Sequence, residues 1–413
     1  MLHQNSRPMM SIKKILDSIF ARISVTHKWQ QDFLVELFEL IFSIQGRINF
    51  ENLARYSAMN DCTFRRNFSK FFEWLDFNLQ LMYLGGLRFS NPVIAAIDCS
   101  FISKAGKATF GLDKFWSGVA NRHKKGLEIS LLALIDVASA SAWSLDVVQT
   151  PPGLSAKEGQ AEEYTRIDFY LEQILDLLPK LRQVLYFVAD GYYAKVKMFN
   201  TLLSVNKHLI TKLRPDANLR YLYTGPHPKG KRGPKTKYAG KVNWKQLDLS
   251  RWTDLGQDFK YAHLHIYTQI LNAPHFKRNF RVVMLLNTQT NRYVVLACTD
   301  LNLDARLIVH YYQLRFQIEF LFRDAKQFTG LTHCQARAEE KLDFHFNMSL
   351  AAINLAKVIR KFNPTIKSMN SFVRKAYNTR LVELLFSQLS LNAEFDIKNL
   401  KVQKVIQLGC MQT

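Results

Sequence analysis

Four polar residues near the end of the chain have types and spacing suited to handling a phosphate: Tyr312, Arg315, Glu319 and Lys326. The segment DARLIVHYYQLRFQIEFLFRDAKQF predicts one helix from Asp304 to Phe328. At ~100° per residue the four fall at about 0°, 300°, 340° and 320°, an arc of roughly 60°. Leu314, Ile318 and Leu321 point the other way. One stripe therefore carries a carboxylate, two cations and a phenol. Arg315 and Glu319 are also an i, i+4 pair, and such pairs often decorate a solvated face. Asp324 falls near about 120°, off the stripe. If a carboxylate here does chemistry, Glu319 is the one expected.

A working stripe needs partners, and two other acids qualify. Asp98 sits inside PVIAAIDCSFI, a continuous β-prone run. A charge in a buried apolar strand is costly unless it is paired or bound to metal; the alternative is a strand-end Asp capping a turn. Asp190 ends the short apolar strand VLYFVAD, just before Gly191. Open α/β sheets place ligands at such carboxyl ends; the alternative is a cap for the next helix. Asp136 raises the same question more weakly and reads as structural. Hard carboxylate oxygens suit Mg²⁺ or Mn²⁺. Two such ions ~3.5–4 Å apart can stabilise both the attacking and the leaving oxygen at a phosphate.

The elements that must bring these acids together follow from the pattern. Residues 92–149 read as three strands in a meander, the last two joined at a Ser-Ala turn. A helix over 161–181, the Asp190 strand, a helix from Tyr193 to Leu203 and the strand HLITKLR follow. This order is that of a ribonuclease-H-like mixed α/β sheet with flanking helices. From Ala217 to Leu247 there is no acid and there are eight bases, among them Lys231, Arg232 and Lys235. Its centre, GPHPKGKRGPKTKYAGK, excludes a regular element by its Gly and Pro content and suits phosphate contacts and base stacking, or a solvated linker. Residues 279–300 predict a hairpin. The N-terminal part is helical: Asn49–Tyr56, a short turn, and a basic helix that Asp61 caps, with Arg65 and Arg66 beside Phe64 and Phe68. That is the outline of a helix-turn-helix reading DNA, or of a plain helical bundle.

The totals agree with a polyanionic partner. The 413 residues carry 56 basic and 34 acidic side chains, a net charge of +22, which favours nucleic acid. At 48% hydrophobic and 13% aromatic the chain is globular. Five scattered cysteines form no C-x-x-C, which argues against a zinc ribbon and fits a reducing cytoplasm. No signal peptide or membrane span is expected.

Tyr312, Arg315, Glu319 and Lys326 read Y-x2-R-x3-E-x6-K, and this resembles the signature of DDE-type bacterial insertion-sequence transposases with the Y-R-E-K motif. AAIDCSFI, FVADGYYAK and LIVHYYQLRFQIEFLFRDAK look like the three acidic blocks of that family, over about residues 90–350. The resemblance implies that Asp98, Asp190 and Glu319 are catalytic and hold two Mg²⁺ ions, with Mn²⁺ as substitute. It implies cutting at terminal inverted repeats, then joining of the 3′-hydroxyl ends to target DNA. Arg315, Lys326 and Tyr312 would grip phosphates near the cut. Trp244 or Trp252 would hold a flipped base. It further implies a homodimer on double-stranded DNA, no nucleotide cofactor, and a bacterial cytoplasmic location. The expected organisation is a helical DNA-binding domain (1–88), a first core segment (89–214), a basic, partly β insertion (215–300), a second core segment (301–345) and a helical C-terminal region (346–413). Two alternatives stand beside it: a catalytically silent DNA-binding relative, and a ribonuclease-H-like nuclease without strand transfer.

Overall fold

In a computed structural model that describes residues 11–23, 27–155, 157, 163–226, 235–388, 399–408 and 410, the chain opens with five helices. These are α1 (Ile12–Phe20), α2 (Lys28–Ser43), α3 (Phe50–Arg55), α4 (Asp61–Asn67) and α5 (Trp74–Gly85). The cap of α4 is Asn60, not Asp61: the Asn60 side chain accepts the Thr63 N–H at 2.8 Å. Asp61 already lies in the first turn, where its carboxylate pairs with Arg65 at 3.1 Å. Phe64 and Phe68 are buried, and Phe68 meets Phe344 at 4.5 Å between ring centres. The aromatic face of this helix pair is thus spent on packing, while Arg65 and Arg66 stay exposed.

The central sheet begins with β1 (Val93–Ser103), β2 (Asp113–Ser117), β3 (Arg122–Asp136) and β4 (Ser141–Gln149). After α6 (Arg166–Leu177) come β5 (Tyr186–Ala189), α7 (Val196–Ser204) and β6 (His208–Leu213). Across the sheet the order is β4-β3-β1-β5-β6. β3 is antiparallel to both β1 and β4, and β5 runs parallel to β1 and to β6. A three-strand meander followed by two parallel strands on the far side of its first strand is the ribonuclease-H-like arrangement. Every residue from Gly126 to Ile135 is buried, so helices cover the sheet on both faces. On α6, Gln173 takes a hydrogen bond from the Ser130 hydroxyl at 2.7 Å and donates to Asp146 at 2.8 Å.

The segment after β6 extends this same sheet. It supplies β7 (Arg220–Leu222), β8 (Tyr238–Lys241), β9 (Thr253–Gln257), β10 (Leu264–Ala273), β11 (Arg278–Asn287) and β12 (Tyr293–Cys298). β12 docks antiparallel on β6, and the order continues β12-β11-β10-β7-β8, with β9 on β10, giving twelve strands. Composition excluded regular structure across the Gly/Pro-rich stretch, yet Tyr238–Lys241 form a strand. Pairing with β7 and the Arg220 guanidinium stacked 3.7 Å above the Tyr238 ring override the local propensity.

The remaining helices are α8 (Ala305–Leu314), α9 (Gln317–Phe328), α10 (Glu339–Phe362), α11 (Met369–Gln388) and α12 (Leu400–Ile406). The single helix expected over 304–328 is therefore two. At Arg315 and Phe316 the hydrogen bonds shorten to i→i+3, from the Ile318 and Glu319 N–H groups at 3.0 and 3.2 Å, which tightens the turn. α10 is the main packing helix, with an unbroken buried run from Phe344 to Ala356. Its Asn354 amide donates to the Ser144 carbonyl at 2.7 Å and to Asn78 of α5 at 2.9 Å. No helix among the described residues is long and apolar enough to cross a membrane.

Candidate active site

β1 and β5 are parallel, with Ala95 opposite Phe187 and Ala96 opposite Val188. Carried two residues on, that register sets Asp98 beside Asp190, where β5 ends. Each is held by local backbone: Asp98 accepts its neighbour's Cys99 N–H at 2.9 Å, and Asp190 accepts the Tyr192 N–H at 2.8 Å. Thr211 of β6 donates to the Asp190 carbonyl at 2.7 Å. Asp190 does cap the short turn that follows. Capping uses one carboxylate oxygen and leaves the other free.

The tight turn between α8 and α9 aims Arg315 at these acids. Its guanidinium lies 3.5 Å from Asp98 and 2.9 Å from Glu319 and faces the Tyr312 ring at 5.7 Å. One α-helical stretch further on, Lys326 donates to Ser100 of β1 at 2.7 Å. All four stripe residues thus face the Asp98 edge of the sheet, with Leu314, Ile318 and Leu321 buried behind them. Asp324 lies elsewhere: it pairs with Arg323 at 2.9 Å and senses Lys357 and Arg360 of α10.

Charge is crowded here. Burial first, then the negative charges of Asp190 and Glu319, push the Asp98 carboxyl up to about 7, against the pull of Arg315. Burial lowers the Lys326 ammonium, opposed by Asp98. A carboxyl raised first by burial and then by neighbouring carboxylates marks a cluster whose oxygen donors are chemically matched to a hard divalent cation. Among the described residues, no three acidic, histidine or cysteine groups close on a common point as metal ligands. Arg315 lies between Asp98 and Glu319 instead.

A cleft of about 920 Å³ opens beside Asp190, lined by Tyr192, Lys195, Lys212, Tyr312 and Arg315 among others. The Tyr192 hydroxyl and the Arg315 Nε are buried and lack a hydrogen-bond partner among the described residues. Buried donors without partners are costly, and here they border an acidic cluster rimmed by cations. Ser100, Tyr192, Lys195 and Lys212 did not emerge from the sequence as site residues. The signal was present for Lys195, three residues beyond Tyr192 in ADGYYAK, and for Lys212, on the outward phase of the alternating HLITKLR.

Of the other expected contacts, those among the described residues sit on other parts of the chain. Arg65 and Arg66 are on α4. Lys235 is exposed, whereas Lys231 and Arg232 lie outside the described residues. Trp252 is 5% exposed and donates to the Tyr221 hydroxyl at 3.1 Å. Trp244 donates to the Ala217 carbonyl at 2.7 Å and stacks on Tyr293 at 5.4 Å. Both indoles are thus engaged in packing within the insertion.

A sheet of this order sets one acid midway along β1 and the other just past the end of the parallel β5. The chain belongs to the DDE superfamily endonuclease family, whose model matches residues 24–266, well over half of its length. The match takes in Asp98 and Asp190 and stops before α9, which carries Glu319. Among solved structures the chain is similar to a piggyBac transposase synaptic complex with hairpin DNA. The TM-score is 0.43 at 10% identity, covering 97% of this chain and 83% of that one. No curated protein matches.

Proposed function

We propose that the chain is a DNA transposase that cuts at the terminal inverted repeats of a bacterial insertion sequence and joins the freed 3′-hydroxyl ends to target DNA. The observation that carries this reading is the grouping of Asp98, Asp190 and Glu319 around Arg315, beside a cleft with unpartnered buried donors. Asp98, Asp190 and Glu319 would hold two Mg²⁺ ions, or Mn²⁺, which would neutralise charge at the scissile phosphate and make a water or 3′-hydroxyl nucleophilic. Arg315, Lys326 and Tyr312 act on the DNA side: Arg315 offers its free Nε to a phosphate oxygen, Lys326 supplies a second cation, and Tyr312 walls the cleft. The burial of these groups keeps their hydrogen bonds strong by excluding water.

In this reading residues 1–88 grip DNA through Arg65 and Arg66. The insertion of 215–300 adds phosphate contacts through Lys231, Arg232 and Lys235. The 301–345 segment completes the core begun in 89–214, and 346–413 supports a homodimer in which each protomer holds one end. No nucleotide is required, and the protein works in the bacterial cytoplasm on the nucleoid.

The test is a strand-transfer assay. Duplexes ending in the element's own cleaved 3′-hydroxyl ends, with a supercoiled target plasmid and Mg²⁺ or Mn²⁺, should give covalently joined products. Cutting of uncleaved ends without joining would reduce the reading to a nuclease. A second reading, a catalytically silent DNA-binding relative, has one observation in its favour: Arg315 is ion-paired to two of the three acids. Tight, specific end binding with neither cutting nor joining in either metal would select it.

A further inference from the structure

β3 is longer than its partner β1. Its last pair with β1 is Gly126 opposite Ser103, and residues 122–125 run on to pair only with β2. The result is a two-stranded ribbon projecting from the sheet edge, closed by the tip Gly118–Asn121, where Asn121 takes a left-handed conformation (φ 48°). Gly126 at its base permits the departure: a Cβ there would come within 2.5 Å of the Ile102 carbonyl oxygen and the Phe101 ring.

The ribbon carries a surface that the catalytic site does not use. Lys114, Arg122, His123, Lys124 and Lys125 are all exposed, and none makes an ion pair among the described residues. No acid occurs from Lys114 to Leu127. Asp113 at the base turns its oxygens to the N–H groups of Lys114 and Gly153, at 2.7 and 2.8 Å. Strand alternation puts Lys114 and Trp116 on one face, opposite Lys125 and His123. Trp116 is 49% exposed and Val119 at the tip is fully exposed. The other face anchors the ribbon and also carries Lys124 and Arg122, the cross-strand partners of Phe115 and Ser117: Phe115 is fully buried under the Arg166 guanidinium, 4.7 Å from its ring centre.

We propose that this ribbon is a second duplex-DNA contact of the enzyme, set about one helical turn from the catalytic acids. Its position supports this. Asp98 pairs with Leu131 of β3, and the nine residue steps from Leu131 to Arg122 span about 30 Å at ~3.3 Å each, close to the ~34 Å of one turn of B-DNA. Its size does too, since a two-stranded ribbon fits the ~12 Å major groove. The unpaired cations match phosphates, and Trp116 offers a flat apolar ring to sugar or base edges. A protein partner would leave these cations uncompensated unless it were strongly acidic, and a second copy of this chain is strongly basic. The inference rests on the DNA-processing reading above.

The experiment uses the full chain and duplexes carrying the element's end, with the arm beyond the scissile phosphate shortened from ~15 to ~5 base pairs. Wild type should lose affinity on shortening. The Lys114→Ser/Lys125→Ser variant should bind the long duplex more weakly, with a log–log salt slope shallower by about two units, near 0.9 per lost phosphate, and should be indifferent to arm length. Trp116→Ser should weaken binding with its slope unchanged. These side chains are exposed, and Lys114→Arg/Lys125→Arg, which keeps the charge, should restore the wild-type slope. If wild type binds and cuts while the ribbon variants match it in affinity, slope and length dependence, the ribbon inference falls and the enzyme reading stands. If wild type binds no end-bearing duplex, the enzyme reading falls with it. If the variants instead change the sedimenting mass of the DNA-free protein, the ribbon is a protein interface and the proposal is overturned.

Discussion

At the residue scale the account turns on which carboxylates share a field. Glu319 faces Asp98 through Arg315, and Asp324 faces Arg323 on another side of the helix. Asp324→Asn should therefore leave DNA cleavage within a few-fold of wild type, and equal damage at both acids would undo the distinction. Asp98 gives a pH signature. Its carboxyl rises from an ordinary 3.8 to about 7, so between those values the folded protein holds a proton that the unfolded chain has released. Metal-free stability should then fall as pH rises from about 4 to about 7, by on the order of 1–3 kcal/mol from this group. Urea titrations in chelator at about pH 5 and pH 8 should show that fall, and Asp98→Asn should flatten it. The wheel argument picked out the stripe because side-chain direction follows from helical geometry alone. It could not find Ser100 or Tyr192, because their relevance depends on which strands lie side by side.

At the element scale, the meander and the two parallel strands were readable from period and order, since buried apolar strands leave few other solutions. What local pattern missed was set by tertiary contact. The α8–α9 break has no Gly or Pro to announce it, and β8 forms against its composition because β7 offers it a partner. The C-terminal region was legible only as helical, and the asparagines of α10 prove to hold β4 and α5. The approach of α5 to β4 depends on Gly85: a Cβ there would lie 2.0 Å from the Trp143 ring. Gly85→Ala should destabilise the protein by about 1–3 kcal/mol, measured by thermal or urea unfolding. An unchanged midpoint would mean that the helix moves freely over the sheet.

At the scale of the whole molecule, one continuous twelve-stranded sheet joins the strands that place Asp98 and Asp190 to the later strands β7–β12, so DNA bound along those later strands would be held in a fixed relation to the two acids. A net charge of +22 would make the proposed DNA affinity steeply salt-dependent. Neutralising Lys231, Arg232 and Lys235 should lower the log–log slope by close to one unit per lost phosphate contact; an unchanged slope would remove that loop from the interface. The central claim is that Asp98, Asp190 and Glu319 form one metal-dependent cutting centre. It is tested most directly by cleavage of DNA bearing the element's ends in Mg²⁺ or Mn²⁺, wild type against Glu319→Gln. The account predicts cutting at the end boundary by wild type and a loss of roughly a thousandfold or more in the variant, with end binding retained. Near-normal cutting by Glu319→Gln would contradict it.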